Sequence, residues 1–256
     1  MNILTLKDKV AIVTGAAMGM GEATVRLFAE VGARVVVSDI DEAGGRKVAA
    51  EIEAAGGNAF FQRADVALAR DVEDLVKAAV ERFGRLDVAV NNAAVTPDTK
   101  PLAEMDEAQF DRVIAVDLKG VALCLRYELA QMIRQGGGGS IINIGSVSSF
   151  RPQPTNGAYV AAKHGVIGLT KVAAIENGVH NIRVNAVAPG AIDTPMMQGA
   201  LKALNLTEAD YAPSLSLLNR FGKAREVAQA SLWLASDLAS YVTGTTIHVD
   251  AGYVNR

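Results

Sequence analysis

The sequence predicts an α/β fold: a doubly wound parallel sheet flanked by helices, built as a single domain over residues 1–256. Three observations carry that expectation. Short apolar runs alternate with amphipathic stretches from Val10 to Val249, the pattern of parallel strands joined by helical crossovers. A glycine-rich turn closes the first apolar run and opens the first helix, as in dinucleotide-binding βα units. No repeat or composition break marks a second domain, and 256 residues, half of them apolar, suffice for one large core.

The first strand is expected at 10–14, an apolar run suited to burial on both faces. Gly15, Gly19 and Gly21 follow, with Met18 and Met20 between them, and then a helix with Val25, Leu27 and Phe28 on its apolar side. Strand, glycine loop and helix in this order suit a pyrophosphate held on helix N-terminal amides. The spacing is Gly-x-x-x-Gly-x-Gly, which differs from the general dinucleotide fingerprint.

The second strand, 34–39, ends on Asp39. An acid about 20 residues past such a loop can bond the adenosine ribose hydroxyls, and its charge would repel the extra phosphate of NADP. Neither Ser38 nor Ile40 is basic, so the expected cofactor is NAD. The alternative reading of Asp39 is a simple cap for the helix starting near Glu42.

Further along, a helix over 42–55 stops at Gly56-Gly57. A strand at 58–63 delivers Asp65 and Val66 to a strand end, where ligands of open α/β sheets collect. A helix at 69–83 leads to a strand at 86–90 and the turn Asn91-Asn92-Ala93-Ala94, whose small residues suit close approach of a cofactor or simply a tight turn. A long helical region is expected over 106–135, with Phe110, Val113, Ile114, Val116 and Leu118 on its apolar side. Four glycines, 136–139, then form a flexible surface link.

A strand at 140–144 ends at Gly145-Ser146, and a proline-containing loop, 150–156, delivers the helix bearing Tyr159 and Lys163. Strand 181–187 is followed by Pro189-Gly190-Ala191-Ile192-Asp193-Thr194. The stretch 191–218 is apolar, methionine-bearing and irregular, which suits an adaptable substrate lid or a surface helix packed on the core. A helix at 224–235 and a strand at 245–249 complete the chain.

Composition narrows the function. Twenty-eight acidic against 25 basic residues, with no basic run, give no electrostatic basis for a nucleic-acid partner. Cys124 stands alone in an apolar helical stretch, which excludes an internal disulfide and suits a core filler. His164, His180 and His248 lack ligand spacing, so no metal site is expected. No cleavable signal and no membrane-length apolar run are read, and the expected location is cytoplasmic, with no membrane partner.

The chemistry is expected at Ser146, Tyr159 and Lys163. Residues four apart on a helix share a face, so the Lys163 ammonium can favour ionisation of the Tyr159 phenol by Coulomb attraction. A tyrosine so placed can take a proton from an alcohol or return one to a ketone, with Ser146 holding the substrate oxygen. Alone, a Tyr-x-x-x-Lys pair reads as readily as an exposed helical pair. Together, Thr14-Gly15-x-x-x-Gly19-x-Gly21, Asn91-Asn92-Ala93, Ser146, Tyr159-x-x-x-Lys163 and Pro189-Gly190 resemble the short-chain dehydrogenase/reductase family over essentially the whole chain.

The resemblance implies a Rossmann-type sheet of about seven strands and hydride transfer between NAD(H) and a secondary alcohol or ketone. It makes Tyr159 the general acid/base and gives Lys163 the nicotinamide ribose as well. Ser146 orients the substrate oxygen. Asp65 and Val66 correspond to adenine contacts, Asn92 with Ala93 and Ala94 lies along the cofactor, and Ile192 and Thr194 meet the carboxamide near Pro189 and Gly190. Members commonly form homotetramers through the long helices and the C-terminal segment. Asp117 stands where the family usually has asparagine in a proton relay, and Ala94 where it has glycine. Alternatives within the resemblance are a 3-oxoacyl carrier-protein reductase, which usually prefers NADPH, and a dinucleotide-binding regulator without turnover.

Overall fold

The computed structural model describes residues 4–255. Seven strands form one parallel sheet: β1 (Val10–Thr14), β2 (Arg34–Asp39), β3 (Asn58–Arg63), β4 (Val88–Asn91), β5 (Gly139–Ile144), β6 (Ile182–Pro189) and, after a short separate pair β7 (Ile192–Asp193) and β8 (Gly222–Lys223), β9 (Thr246–Val249). Their spatial order is β3-β2-β1-β4-β5-β6-β9. The order reverses direction between β1 and β4, which opens a crevice at the carboxyl ends of those strands.

The helices are α1 (Gly19–Glu30), α2 (Glu42–Ala54), α3 (Ala69–Phe83), α4 (Glu107–Val113), α5 (Val121–Gln135), α6 (Gly157–Asn177), α7 (Pro195–Leu204), α8 (Glu208–Leu215) and α9 (Ala224–Ala235). Strand side chains alternate between the two sheet faces. Ala11, Val13, Val35 and Val37 pack with Phe28 of α1 and Leu232 of α9. Ile12 and Val36 point the other way, to Leu75 of α3, Leu125 of α5 and Val166 of α6. Burying each large aliphatic or aromatic chain contributes about 1.5–3 kcal/mol, so the centre of the sheet is a rigid platform for what lies at its edge.

Most predicted elements appear within a residue or two. The strand expected at 86–90 runs instead from Val88 to Asn91, because β4 pairs with β5 through Val88↔Ser140 to Asn91↔Asn143. Gly139 belongs to β5, leaving Gly136, Gly137 and Gly138 as the turn, all at positive φ. The long helical region is broken by a seven-residue π-helical stretch, Ile114–Gly120, between α4 and α5. Its expected apolar side is also only partly buried: Val113 is enclosed, whereas Phe110, Ile114, Val116 and Leu118 are half-buried. The stretch expected to be irregular, 191–218, is largely α7 and α8, joined around Leu201, Ala212 and Phe221. Its helix starts are locally specified, with Thr194 accepting from Met197 N–H and Thr207 and Asp210 closing a capping box. Cys124 is buried, as a core filler should be. Among the described residues no helix is long and apolar enough to cross a membrane.

Candidate active site

At the end of β1, Gly15 and Gly19 take φ of +64° and +61°, conformations that side-chain-bearing residues resist. Gly21 is required for space: a Cβ there would lie 2.1 Å from the Gly15 carbonyl oxygen and 2.6 Å from Asn92 Nδ2. The loop therefore packs directly on the β4 end. Asn92 Nδ2 donates to the Thr14 and Gly15 carbonyls at 2.9 and 3.0 Å, and the Asn92 and Ala93 N–H groups donate to Thr14 Oγ1. Thr14 is thus a hub that spacing alone does not single out, although it heads the glycine motif. Met18, the residue before α1, supplies no capping side chain, so the N–H groups of the first turn face the crevice without one. That is the donor arrangement a pyrophosphate requires, and the residues present fit a nicotinamide dinucleotide.

Asp39 is not the cap of α2. That role falls to Asp41, which accepts from Gly44 N–H at 3.1 Å. Asp39 instead accepts from Ala17 N–H and Asp41 N–H, both at 2.9 Å, which turns its carboxylate toward the glycine loop. One basic neighbour escapes a linear reading: Arg63 sits opposite Asp39 in the β2–β3 register, with its guanidinium 3.4 Å from Asp71.

The remaining expected contacts line the same edge of the sheet. Val66 is buried under Gly120, and Asp65 accepts from Ala67 N–H. Gly190 touches the backbone at Asp250, where a Cβ would come within 2.9 Å of Cα. Ile192 is buried, and Thr194 lies against Gly19, its methyl 3.5 Å from where a Cβ would be. This approach joins the chain after β6 to the glycine loop. Met18 and Ile40 are exposed, Ala94 lies at the surface, and Met20 packs partly into the core.

Lys163 reaches back to the end of β5 beside the Tyr159 ring, and Ser146 lies two residues past that strand. Lys163 is 2% exposed, and its ammonium donates to the Ile144 carbonyl at 3.2 Å and lies 5.5 Å from the centre of the Tyr159 ring. Tyr159 is half-buried against a small apolar cluster that includes Val113 and Leu118. Ser149 Oγ donates to the Lys163 carbonyl at 2.8 Å and accepts from Ser146 N–H, tying the serine turn to α6. Ser146 Oγ accepts from Ser148 N–H at 3.1 Å, which leaves its own hydrogen free to be donated to a substrate oxygen.

Asp117 joins them from the π-helical stretch. It is fully buried, its Oδ2 is 3.4 Å from Lys163 Nζ, and its Oδ1 accepts from Val95 N–H at 2.9 Å. Burial pushes the Asp117 carboxyl above its ordinary value, against the pull of Lys163 and the Val95 N–H. For Lys163, burial works to lower the ammonium, but Asp117 and Tyr159 outweigh it and the value stays above normal.

A crevice at the strand-order reversal, a helix terminus clear for phosphate and a buried lysine beside a tyrosine define a dinucleotide-dependent oxidoreductase of the Rossmann class. The chain belongs to the short-chain dehydrogenase/reductase family, whose members use NAD or NADP. A family profile described as Enoyl-(Acyl carrier protein) reductase matches residues 15–254. Similar proteins include the short chain dehydrogenase/reductase astE of Aspergillus oryzae, 52% identical over 97% of this chain and 95% of that protein. A 2,5-dichloro-2,5-cyclohexadiene-1,4-diol dehydrogenase of Sphingobium indicum is 44% identical over 97% of this chain and 98% of its own length. Among solved structures, levodione reductase superposes with a TM-score of 0.90 at 36% identity, covering 97% of this chain and 98% of that one.

Proposed function

We propose that the protein is an NAD-dependent dehydrogenase/reductase acting on a secondary alcohol or ketone of small to medium size and cyclic character. The observation that carries the reading is the enclosed Lys163 ammonium 5.5 Å from the Tyr159 ring, on a helix tied through Ser149 to the turn of Ser146. The α1 amides and Gly15, Gly19 and Gly21 would hold the pyrophosphate, Asp39 the adenosine ribose, and Lys163 the nicotinamide ribose. The bound nicotinamide supplies hydride acceptor or donor chemistry. Ser146 donates to the substrate oxygen and fixes it, while Tyr159 takes the hydroxyl proton during oxidation and returns it during reduction. Lys163 holds positive charge beside the phenol, and the Lys163–Asp117 pair leads away from it into the protein.

Asp39 beside the glycine loop supports NAD over NADP, since a carboxylate there opposes a second phosphate. Arg63, the nearest cation by register, is engaged by Asp71. The cyclic character draws on the name of the Sphingobium relative, a ring diol dehydrogenase. Helices α7 and α8 are the proposed lid, within 191–218 of a single catalytic domain. A cytoplasmic homotetramer completes the proposal, supported by Val172 and Ile175 on α6, which are 52% and 81% exposed.

A second reading has support of its own. A Thermotoga maritima relative named 3-oxoacyl-[acyl-carrier-protein] reductase is 42% identical over 98% of this chain. One assay separates the readings: NADH or NADPH absorbance against a panel of cyclic and linear secondary alcohols, their ketones and a 3-oxoacyl thioester, with Tyr159→Phe in parallel. Oxidation of ring alcohols with NAD, abolished in Tyr159→Phe while NADH still binds, is the expected result. Preference for the thioester with NADPH establishes the carrier-protein reading. NADH binding with no turnover across the panel makes the chain a regulator.

A further inference from the structure

The helix carrying Tyr159 and Lys163 is not capped by its own sequence. Asn156, the residue at its N-terminus, makes no side-chain bond to the first turn and donates its amide to the Asp98 carbonyl instead. The N–H groups of Ala158 and Tyr159 are the two that an N-cap side chain would normally meet. Both donate to the Asp98 carboxylate, each at 3.1 Å, and Asp98 lies 61 residues before Tyr159. Lys100 pairs with Asn156 in an isolated parallel bridge. Leu102 fills the space over Gly157, where a Cβ would come within 2.5 Å of it.

The same loop is anchored at its other end. Val95 N–H donates to Asp117 Oδ1 at 2.9 Å, and Gln109 Nε2 donates to the Thr96 carbonyl at 3.1 Å. A short segment leaving β4 is thereby tied first to the carboxylate that pairs with Lys163 and then to the peptide N–H of Tyr159.

We propose that Asp98 is a positioning residue: its carboxylate registers the first turn of α6, and with it the Tyr159 hydroxyl, to the β4 edge of the cofactor crevice. A cap supplied by Asn156 would move with the proline-containing loop before it, whereas a cap supplied from the β4 loop moves with the sheet. The two bonds are charge-assisted and lie at the positive end of the helix. The inference rests on the reading of Tyr159 as general acid/base. Displacing a reacting group by roughly 1 Å can cost about a hundredfold in turnover, so a small loosening of this turn is enough to matter.

The test combines turnover of the fastest ring alcohol from the panel with NADH affinity by fluorescence and amide hydrogen exchange of residues 157–160. Asp98→Ala is expected to speed exchange at Ala158 and Tyr159 and to lower kcat by about ten- to a hundredfold. KM for the alcohol and NADH affinity should each stay within about threefold, since Ser146 is proposed to hold the substrate oxygen and the glycine loop and Asp39 the dinucleotide, all outside this turn. Asp98→Asn, which keeps one acceptor oxygen, should recover most of the lost kcat. The double variant Asp98→Ala/Asn156→Asp restores a local cap, and it should regain exchange protection without regaining kcat.

If the double variant regains full turnover, the helix end needed only a cap and the proposal is overturned. It is overturned equally if Asp98→Ala keeps parental kcat. Asp98→Ser, too short to meet both donors, takes the same measurements should the alanine variant not fold. Tyr159→Phe separates the two levels: retained turnover there removes the reading of the site itself, whereas collapse in Tyr159→Phe with parental kcat in Asp98→Ala removes only the role of Asp98.

Discussion

Asp117 Oδ2 and Lys163 Nζ lie 3.4 Å apart with both side chains sealed from solvent. The contact is an ion pair rather than an aligned hydrogen bond, since Oδ2 has no hydrogen-bond partner among the described residues. A buried carboxylate at this place opposes the field that the ammonium projects onto Tyr159. The asparagine usual in the family would leave that field intact.

Asp117→Asn should therefore shift the pH dependence of alcohol oxidation. In the proposed reaction the ionised Tyr159 phenol is the base for oxidation, and removing a nearby negative charge favours that form. The acidic limb of the kcat profile is expected to move to lower pH, with turnover retained because Asn keeps an acceptor for the Val95 N–H. Superimposable profiles for parent and variant would show that Asp117 carries no charge in the working range or does not reach Tyr159.

Asp39→Ala removes the proposed ribose acceptor and the proposed repulsion of a second phosphate together. The ratio of kcat/KM with NAD to that with NADP is expected to narrow by about tenfold or more, given the size of like-charge effects at a binding site. Because Asp39 also holds Ala17 N–H, KM for NAD should rise as well. An unchanged ratio would leave Asp39 a loop brace only.

Gly21→Ala tests the packing of the glycine loop on β4. The added methyl would meet the Gly15 carbonyl at 2.1 Å, so either the start of α1 or the loop must move. A loss of about 1–3 kcal/mol in stability is expected from overpacking, measured by urea unfolding, with a larger loss in NADH binding by fluorescence. Binding at parental affinity would mean that the loop does not hold the cofactor.

Glu128 gives a prediction about stability. It is buried on α5 and accepts from Asn91 Nδ2 at 3.0 Å, within a chain that continues through Asn143 to Thr170. Burial raises its carboxyl from 4.5 to about 7, partly offset by the Asn91 bond. Between those values the native state keeps a proton that the unfolded chain has lost, so stability falls as pH rises from 4.5 to about 7. The linked cost above that window is about 3 kcal/mol. Glu128→Gln, which has no proton to lose, should flatten this fall and make the protein more stable than the parent at about pH 8 by roughly 1–3 kcal/mol in urea unfolding. Parallel stability–pH curves would show that Glu128 titrates normally.

The legible part of the molecule was local in origin. Runs such as Val10–Thr14 and Arg34–Asp39, and helices such as Ala69–Phe83, announce themselves by apolar period and by the glycines that end them. The Tyr159–Lys163 spacing announces one helical face. The helices of 191–218 were less visible, because Met196, Leu204 and Leu206 stay exposed while the inward face of Met197, Leu201 and Ala212 is completed by Phe221 from beyond the segment. The π-helical turn at Ile114–Gly120 has no composition signature; it appears where Asp117 is drawn inward between Val95 and Lys163.

By itself the sequence determined the alternation of strands and helices and the glycine loop after the first strand, each set by neighbours within a few residues, and, through short motifs in one order along the chain, the family to which it belongs. The tertiary structure alone decided that Asp41 rather than Asp39 caps α2 and that Thr14 binds the β4 turn. It also decided that Asp117 faces Lys163 and that Asp98 caps the helix of Tyr159. The last three pairings span up to 79 residues, and strand order, not sequence proximity, brings them within bonding distance. Several helix ends or polar groups compete for each such side chain, and only the packed sheet selects one.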